Sequence, residues 1–249
     1  MICKEYGGME KPVVILLHGG GLSWWSLEAA AEELSDEYHV VTPVLDGHGE
    51  NGDTLFISIE ESAGKLLTWI DERFGGVVFA LGGLSIGAQI VAQMLTVRPG
   101  VARCAVIESA LVCPIKGAEA SAGMMKLFYG LIKKRWFAKW QAQALCVPDA
   151  LFERYYQDSM RMSSESLANM ARSNSRFVLS EDIAKTSARV LVMVGEKERP
   201  MMKRSAEILH KSIPRSVLYV AKNLKHGELS LTQPREYAAL LRRFFAEPG

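Results

Sequence analysis

Short, almost uninterrupted apolar runs alternate with longer stretches in which apolar residues recur every three or four positions. "PVVILLHG" (12–19), "HVVTPVLDGHG" (39–49, closing in a glycine-rich turn), "VVFALGG" (77–83), "VARCAVIE" (101–108), "ARVLVMVGEK" (188–197) and "SVLYVAKN" (216–223) read as strands. They lack the regular polar alternation of a half-exposed sheet, so burial on both faces is expected. "SLEAAAEELSDEY" (26–38), "SIEESAGKLLTWIDERF" (58–74), Ile86 to Thr96, a segment after Pro200 and Pro234 to Phe245 carry the helical period. Ser58 and Glu61 stand in capping-box register at the head of one of them. Strands separated by helices predict an α/β fold: a mostly parallel twisted sheet with helices on both faces.

One region breaks this rhythm. From Leu111 to about Thr186 the chain is helical in pattern and rich in Met and aromatics, among them Met124, Phe128, Trp136, Trp140 and Tyr155. Some 75 residues are too many for a structureless loop. The expected organisation is a core of residues 1–110 and 187–249, with 111–186 inserted as a helical lid over the carboxyl ends of the strands, where open α/β sheets bind ligands.

Composition narrows the chemistry. At 249 residues, 49% hydrophobic and 23% charged, the chain is an ordinary globular one. A formal net charge of +1 argues against nucleic-acid binding. Cys3, Cys104, Cys113 and Cys146 show no CxxC spacing and read as reduced thiols. The first apolar run, Val13 to Leu17, is too short for a signal-peptide core, and no stretch approaches the roughly 20 apolar residues of a membrane span. A cytoplasmic location without stable membrane insertion is expected. "KKRWFAKW" (133–140) alternates base and aromatic, as does a segment lying on a membrane or acidic surface; a lid helix with a wet cationic side accounts for it as well and is the preferred reading. No H-E-x-x-H or Cys/His cluster suggests a metal, and "GGLSIG" lacks the G-x-G-x-x-G spacing of dinucleotide sites. Neither metal nor cofactor is expected, and the partner is a small-molecule substrate.

Gly83-Leu84-Ser85-Ile86-Gly87 follows the strongest strand and opens an amphipathic helix. A serine displayed on so sharp a strand-to-helix turn needs glycine two residues to either side, because larger side chains would collide. A serine hydroxyl attacks a carbonyl only when a base takes its proton. Of five histidines, His39 and His210 have surface or packing explanations, while His226 lies in "NLKHGELS", between the last strand and the final helix. In a parallel sheet that loop shares an edge with Ser85, which makes His226 the candidate base. Its acid partner comes from Glu198, Glu196 or Glu108, all at strand ends.

Strand-His-Gly-Gly-Gly, G-x-S-x-G, a G-x-x-acid turn and a late histidine occur in an order that resembles the α/β-hydrolase family, specifically its small lidded esterases. The resemblance implies a serine hydrolase cleaving a small-to-medium, fairly apolar ester, thioester or lactone through an acyl-enzyme on Ser85. It implies that the acid sits three residues after the turn glycine, at Glu198, although the family usually has aspartate there; Glu108 occupies a position that some members use instead. It assigns the oxyanion hole to the N–H groups of Ile86 and Gly20, makes His18 a brace of the HGGG turn, and makes Asp46 and His48 structural. Trp24 and Trp25, just after that turn, are candidate substrate-binding residues. Relatives with the same triad cleave carbon–carbon bonds, transfer acyl groups or act as lyases, and a non-catalytic ligand sensor on the same scaffold is a further alternative.

Overall fold

The computed structural model describes residues 1–115 and 117–247. Seven strands among them, β1 (Cys3–Tyr6), β2 (Val13–Leu17), β3 (His39–Pro43), β4 (Val78–Leu84), β5 (Ala102–Glu108), β6 (Arg189–Gly195) and β7 (Ser216–Ala221), form one sheet. Its order is β1-β3-β2-β4-β5-β6-β7, parallel throughout except where β1 runs antiparallel to β3. Six strands coincide with the apolar runs. The seventh, β1, has the half-polar sequence Cys-Lys-Glu-Tyr and owes its conformation to pairing with β3, from Cys3 against Pro43 to Tyr6 against Val40. Local pattern carries no trace of such a partner.

Helices α1 (Glu28–Leu34), α2 (Ile59–Phe74) and α3 (Ile86–Val97) precede β5. α4 (Ala118–Leu127), α5 (Tyr129–Ile132), α6 (Arg135–Ala144), α7 (Phe152–Arg161) and α8 (Ser164–Arg176) all lie between β5 and β6. α9 (Pro200–Ser212), α10 (Glu228–Thr232) and α11 (Pro234–Ala246) complete the chain. α2 starts as its capping residues predict, with Ser58 Oγ accepting from the N–H of Glu61 at 3.2 Å.

The near-continuous apolar strands are explained by two covered faces. Successive strand side chains point opposite ways. Ile15, Leu17, Val41, Leu81, Ile107 and Val192 pack with Ile59, Leu66 and Ile70 of α2, Ile90 and Leu95 of α3 and Leu209 of α9. Their neighbours Val14, Leu16, Val40, Ala80, Val106 and Leu191 pack with Leu34 of α1 and Tyr237, Leu241 and Phe244 of α11. Each such Val, Leu or Ile, removed from water, stabilises the fold by about 1.5–3 kcal/mol. The parallel strands thereby bring the turns after β2, β4, β5, β6 and β7 to one edge.

Segment 111–176 is fastened to that edge by hydrogen bonds of long sequence separation. Trp25 Nε1 donates to Asp158 at 2.7 Å, Gln89 Nε2 to the Leu111 carbonyl at 2.7 Å, and the Ile59 N–H to Ser173 Oγ at 3.0 Å. A third apolar cluster joins Leu22, Trp25 and Leu84 of the sheet edge to Ala138, Ala142, Val147 and Tyr155. Among the described residues no helix is long and apolar enough to cross a membrane.

Candidate active site

β4 delivers its chain directly into α3, and Ser85 occupies the single residue between them. Its backbone sits at φ 55°, ψ −114°, a conformation that costs a non-glycine residue about 1–3 kcal/mol. Two backbone bonds hold it there: the Ser85 N–H donates to the Glu108 carbonyl at 2.9 Å, and the Ser85 carbonyl accepts from Gln89 at 3.0 Å. The flanking glycines are required by space. A Cβ on Gly83 would lie 2.4 Å from the Gly87 carbonyl, and one on Gly87 would lie 2.6 Å from the carbonyl oxygens of Leu17 and His18.

β6 ends in Gly195, and the turn after it folds Glu198 back beneath the strand ends, where its side chain is fully buried. One carboxylate oxygen, Oε1, accepts from the Gly195 N–H and from Ser109 Oγ, both at 2.7 Å. The other, Oε2, lies 2.7 Å from Nδ1 of His226. Burial by itself would raise the Glu198 carboxyl, but the bonds from His226, Gly195 and Ser109 outweigh it and hold the group below its ordinary range. An ionised carboxylate only accepts, so Nδ1 of His226 carries the proton, and in the neutral ring Nε2 is the acceptor.

The loop that carries His226 rests directly on the end of β6. The Lys197 N–H donates to the Leu224 carbonyl at 2.9 Å, and a Cβ on Gly195 would strike that oxygen at 2.5 Å. On its far side Gly227 packs on Leu84, so the neighbours of His226 and Ser85 are in contact. Ser85, Glu198 and His226 line one cavity of about 340 Å³, with Leu111, Ile115, Ala144, Asn174, Arg199, Met201 and Met202. Gly195 is the glycine of the G-x-x-acid turn, whereas Ser109 and Gly227 escape a reading of the sequence for chemistry; the glycine next to His226 is the signal that locates Gly227.

The other two carboxyl candidates stand elsewhere. Glu196 is exposed and accepts from the Asn223 N–H at 2.8 Å. Glu108 is buried at the end of β5 beside Ser230; burial pushes its carboxyl up to about 7, and its Oε2 has no hydrogen-bond partner among the described residues. It lies near enough to feel the charge of His226, but the imidazole bond goes to Glu198.

Ile86 heads α3, so its N–H belongs to the first turn that intrahelical bonds leave open. Gly20 faces it: a Cβ there would lie 3.5 Å from Ile86 Cγ2. His18 is buried beneath, donating from Nδ1 to the Gly19 carbonyl at 2.9 Å and accepting the Leu45 N–H at Nε2 at 3.1 Å. It therefore ties the turn after β2 to the turn after β3. Trp24 and Trp25 are not brought to Ser85. Trp25 is buried under the inserted helices on Asp158, and the Trp24 ring lies beneath Lys4 and Arg154. Adjacency to the HGGG turn in sequence does not aim them at the cavity. Among the described residues no group of three or more His, Cys, Asp or Glu side chains could hold a metal ion.

The architecture has many known counterparts. An esterase from Thermogutta terrifontis, solved with malate bound, superposes with TM-score 0.78 at 20% identity, covering 98% of this chain and 92% of its own. A bromoperoxidase from Bacillus anthracis gives 0.83 at 19%, covering 98% and 95%. The esterase EaEST from Exiguobacterium antarcticum gives 0.82 at 17%, also covering 98% and 95%. At such identities the likeness speaks for the fold alone. No curated protein matches the sequence. The family model described as "Alpha/beta hydrolase family" matches residues 14–240, nearly the whole chain. By that match the chain belongs to the alpha/beta hydrolase family.

Proposed function

We propose that this chain is a serine hydrolase that cleaves a small-to-medium, fairly apolar ester, thioester or lactone through an acyl-enzyme on Ser85. The observation that carries this reading is the Glu198–His226 pair, 2.7 Å apart, in the same cavity as a serine held at positive φ. Ser85 Oγ attacks the carbonyl carbon while Nε2 of His226 takes the hydroxyl proton. Glu198 fixes the tautomer of His226 and stabilises the imidazolium that forms. The N–H groups of Ile86 and Gly20 receive the developing oxyanion, each worth about 3 kcal/mol in the transition state. His226 then returns the proton to the departing oxygen or sulfur, and water, activated by the same ring, releases the acid.

Residues 111–186 act as the lid of this site, and 1–110 with 187–249 as the catalytic core. The apolar lining from Leu111, Ile115, Ala144, Met201 and Met202 supports an apolar substrate body, and about 340 Å³ suits a molecule of modest size. A fluorophosphonate probe tests the assignment. Wild-type protein is expected to be labelled and Ser85→Ala to remain unlabelled; failure of the wild type to react, or equal labelling of the variant, overturns it.

A further inference from the structure

Two polar side chains line the cavity beside Ser85 and His226 without a task in ester cleavage: Asn174 near the end of α8 and Arg199 immediately before α9. Glu198 and His226 are the other titratable side chains that line the cavity. Arg172 and Arg176 of α8 both pair with Glu119. The Glu198 oxygens are taken by His226, Ser109 and Gly195, and Glu196 turns to the Asn223 N–H. Among the described residues Arg199 has no ion pair and no side-chain hydrogen bond. Its side chain is exposed at the rim, while most of the remaining wall is Leu, Ile, Ala and Met. The thirteen-residue helix α9 begins at the next residue, and its N-terminal end adds positive potential on the side where Met201 meets the cavity.

An apolar cavity with a nucleophile at one point and a lone guanidinium at its rim is complementary to an apolar molecule with an anionic end. A single guanidinium matches one negative charge and the planar two-oxygen geometry of a carboxylate. We propose that the substrate carries a carboxylate on its otherwise apolar body, and that Arg199 binds this group at the rim while the ester or thioester lies at Ser85. The proposal deepens the serine-hydrolase reading of the same cavity and rests on it.

The test uses binding, in a protein that does not turn over. Monomethyl adipate and dimethyl adipate differ by one charge at one end and are titrated into the full-length Ser85→Ala protein by NMR. The monoester is expected to bind about fivefold tighter, the upper range for an exposed pair, with the advantage shrinking as salt is raised. In Ser85→Ala/Arg199→Met the two affinities are expected to converge, and Arg199→Lys to retain part of the difference. Equal affinities before Arg199 is changed, no binding by either ester, or a preference that survives Arg199→Met overturns the proposal. A preserved preference in a protein whose wild type resists fluorophosphonate would instead remove the nucleophile and leave the carboxylate site standing.

Discussion

Ser85 combines a chemical and a conformational demand in one residue. Its φ of 55° would suit glycine, yet the chain places a hydroxyl there and spends two backbone bonds and two flanking glycines to keep it. If strain is stored at this position, removing the Cβ releases it and removing only the hydroxyl does not. Ser85→Gly is therefore expected to be more stable than Ser85→Ala by about 1 kcal/mol, after glycine's greater unfolded freedom is set against the relieved conformation. Neither variant is expected to react with a fluorophosphonate. Urea unfolding of the two proteins checks the difference, and equal midpoints would mean that the turn is relaxed with a side chain present. The sharp turn at this residue is legible in the sequence, because the two glycines that permit it stand within five consecutive positions between an apolar strand and an amphipathic helix.

The turn after β6 shows where that legibility ends. Three glutamates stand at strand ends, and only the family's spacing after Gly195 favours Glu198; no apolar or polar pattern around them separates the three. The choice depends on Gly195 letting the backbone at Leu224 and Lys225 lie against the strand, which delivers Nδ1 of His226 to Glu198. Glu196, two residues away, faces outward to Asn223. Glu198→Gln keeps the volume but leaves an amide where the proposed mechanism needs a charge to stabilise the imidazolium, so kcat on a p-nitrophenyl ester is expected to fall about 10³–10⁴-fold with little change in KM. Glu196→Gln is expected to stay within about twofold of wild type. Comparable losses in both would remove the special standing of Glu198. The same limit explains β1, whose four residues become a strand only against β3, and Trp25, whose partner Asp158 is 133 residues away. Periodicity reports which face of an element is buried, not which distant segment buries it.

Across the whole molecule, three buried groups near the site set how stability responds to acid, and they oppose one another. His18 and His48, their rings 4.9 Å apart, are held by burial at about 3 and about 4, against 6.5 when unfolded. Below 6.5 the unfolded chain therefore binds more protons, and stability falls as pH falls. From pH 7 to 5 each histidine contributes about 2 kcal/mol of loss. Glu108 works the other way. Burial raises its carboxyl from 4.5 to about 7, so the folded state takes up the proton first, and its contribution is present in acid and lost as pH rises through about 7. Over the same interval it returns about 2 kcal/mol. Glu198, held below its ordinary range, keeps its contribution throughout this window and loses it only in stronger acid. Two histidines outweigh one carboxyl, so wild-type stability is expected to drop by about 2 kcal/mol between pH 7 and 5. Glu108→Gln preserves the shape of the side chain and removes the compensating proton, which deepens the drop to about 4 kcal/mol. Urea unfolding of both proteins at the two pH values measures this directly. Parallel slopes would show that Glu108 is ionised at neutral pH despite its burial, and that the edge of the sheet beneath His226 is better solvated than its packing implies.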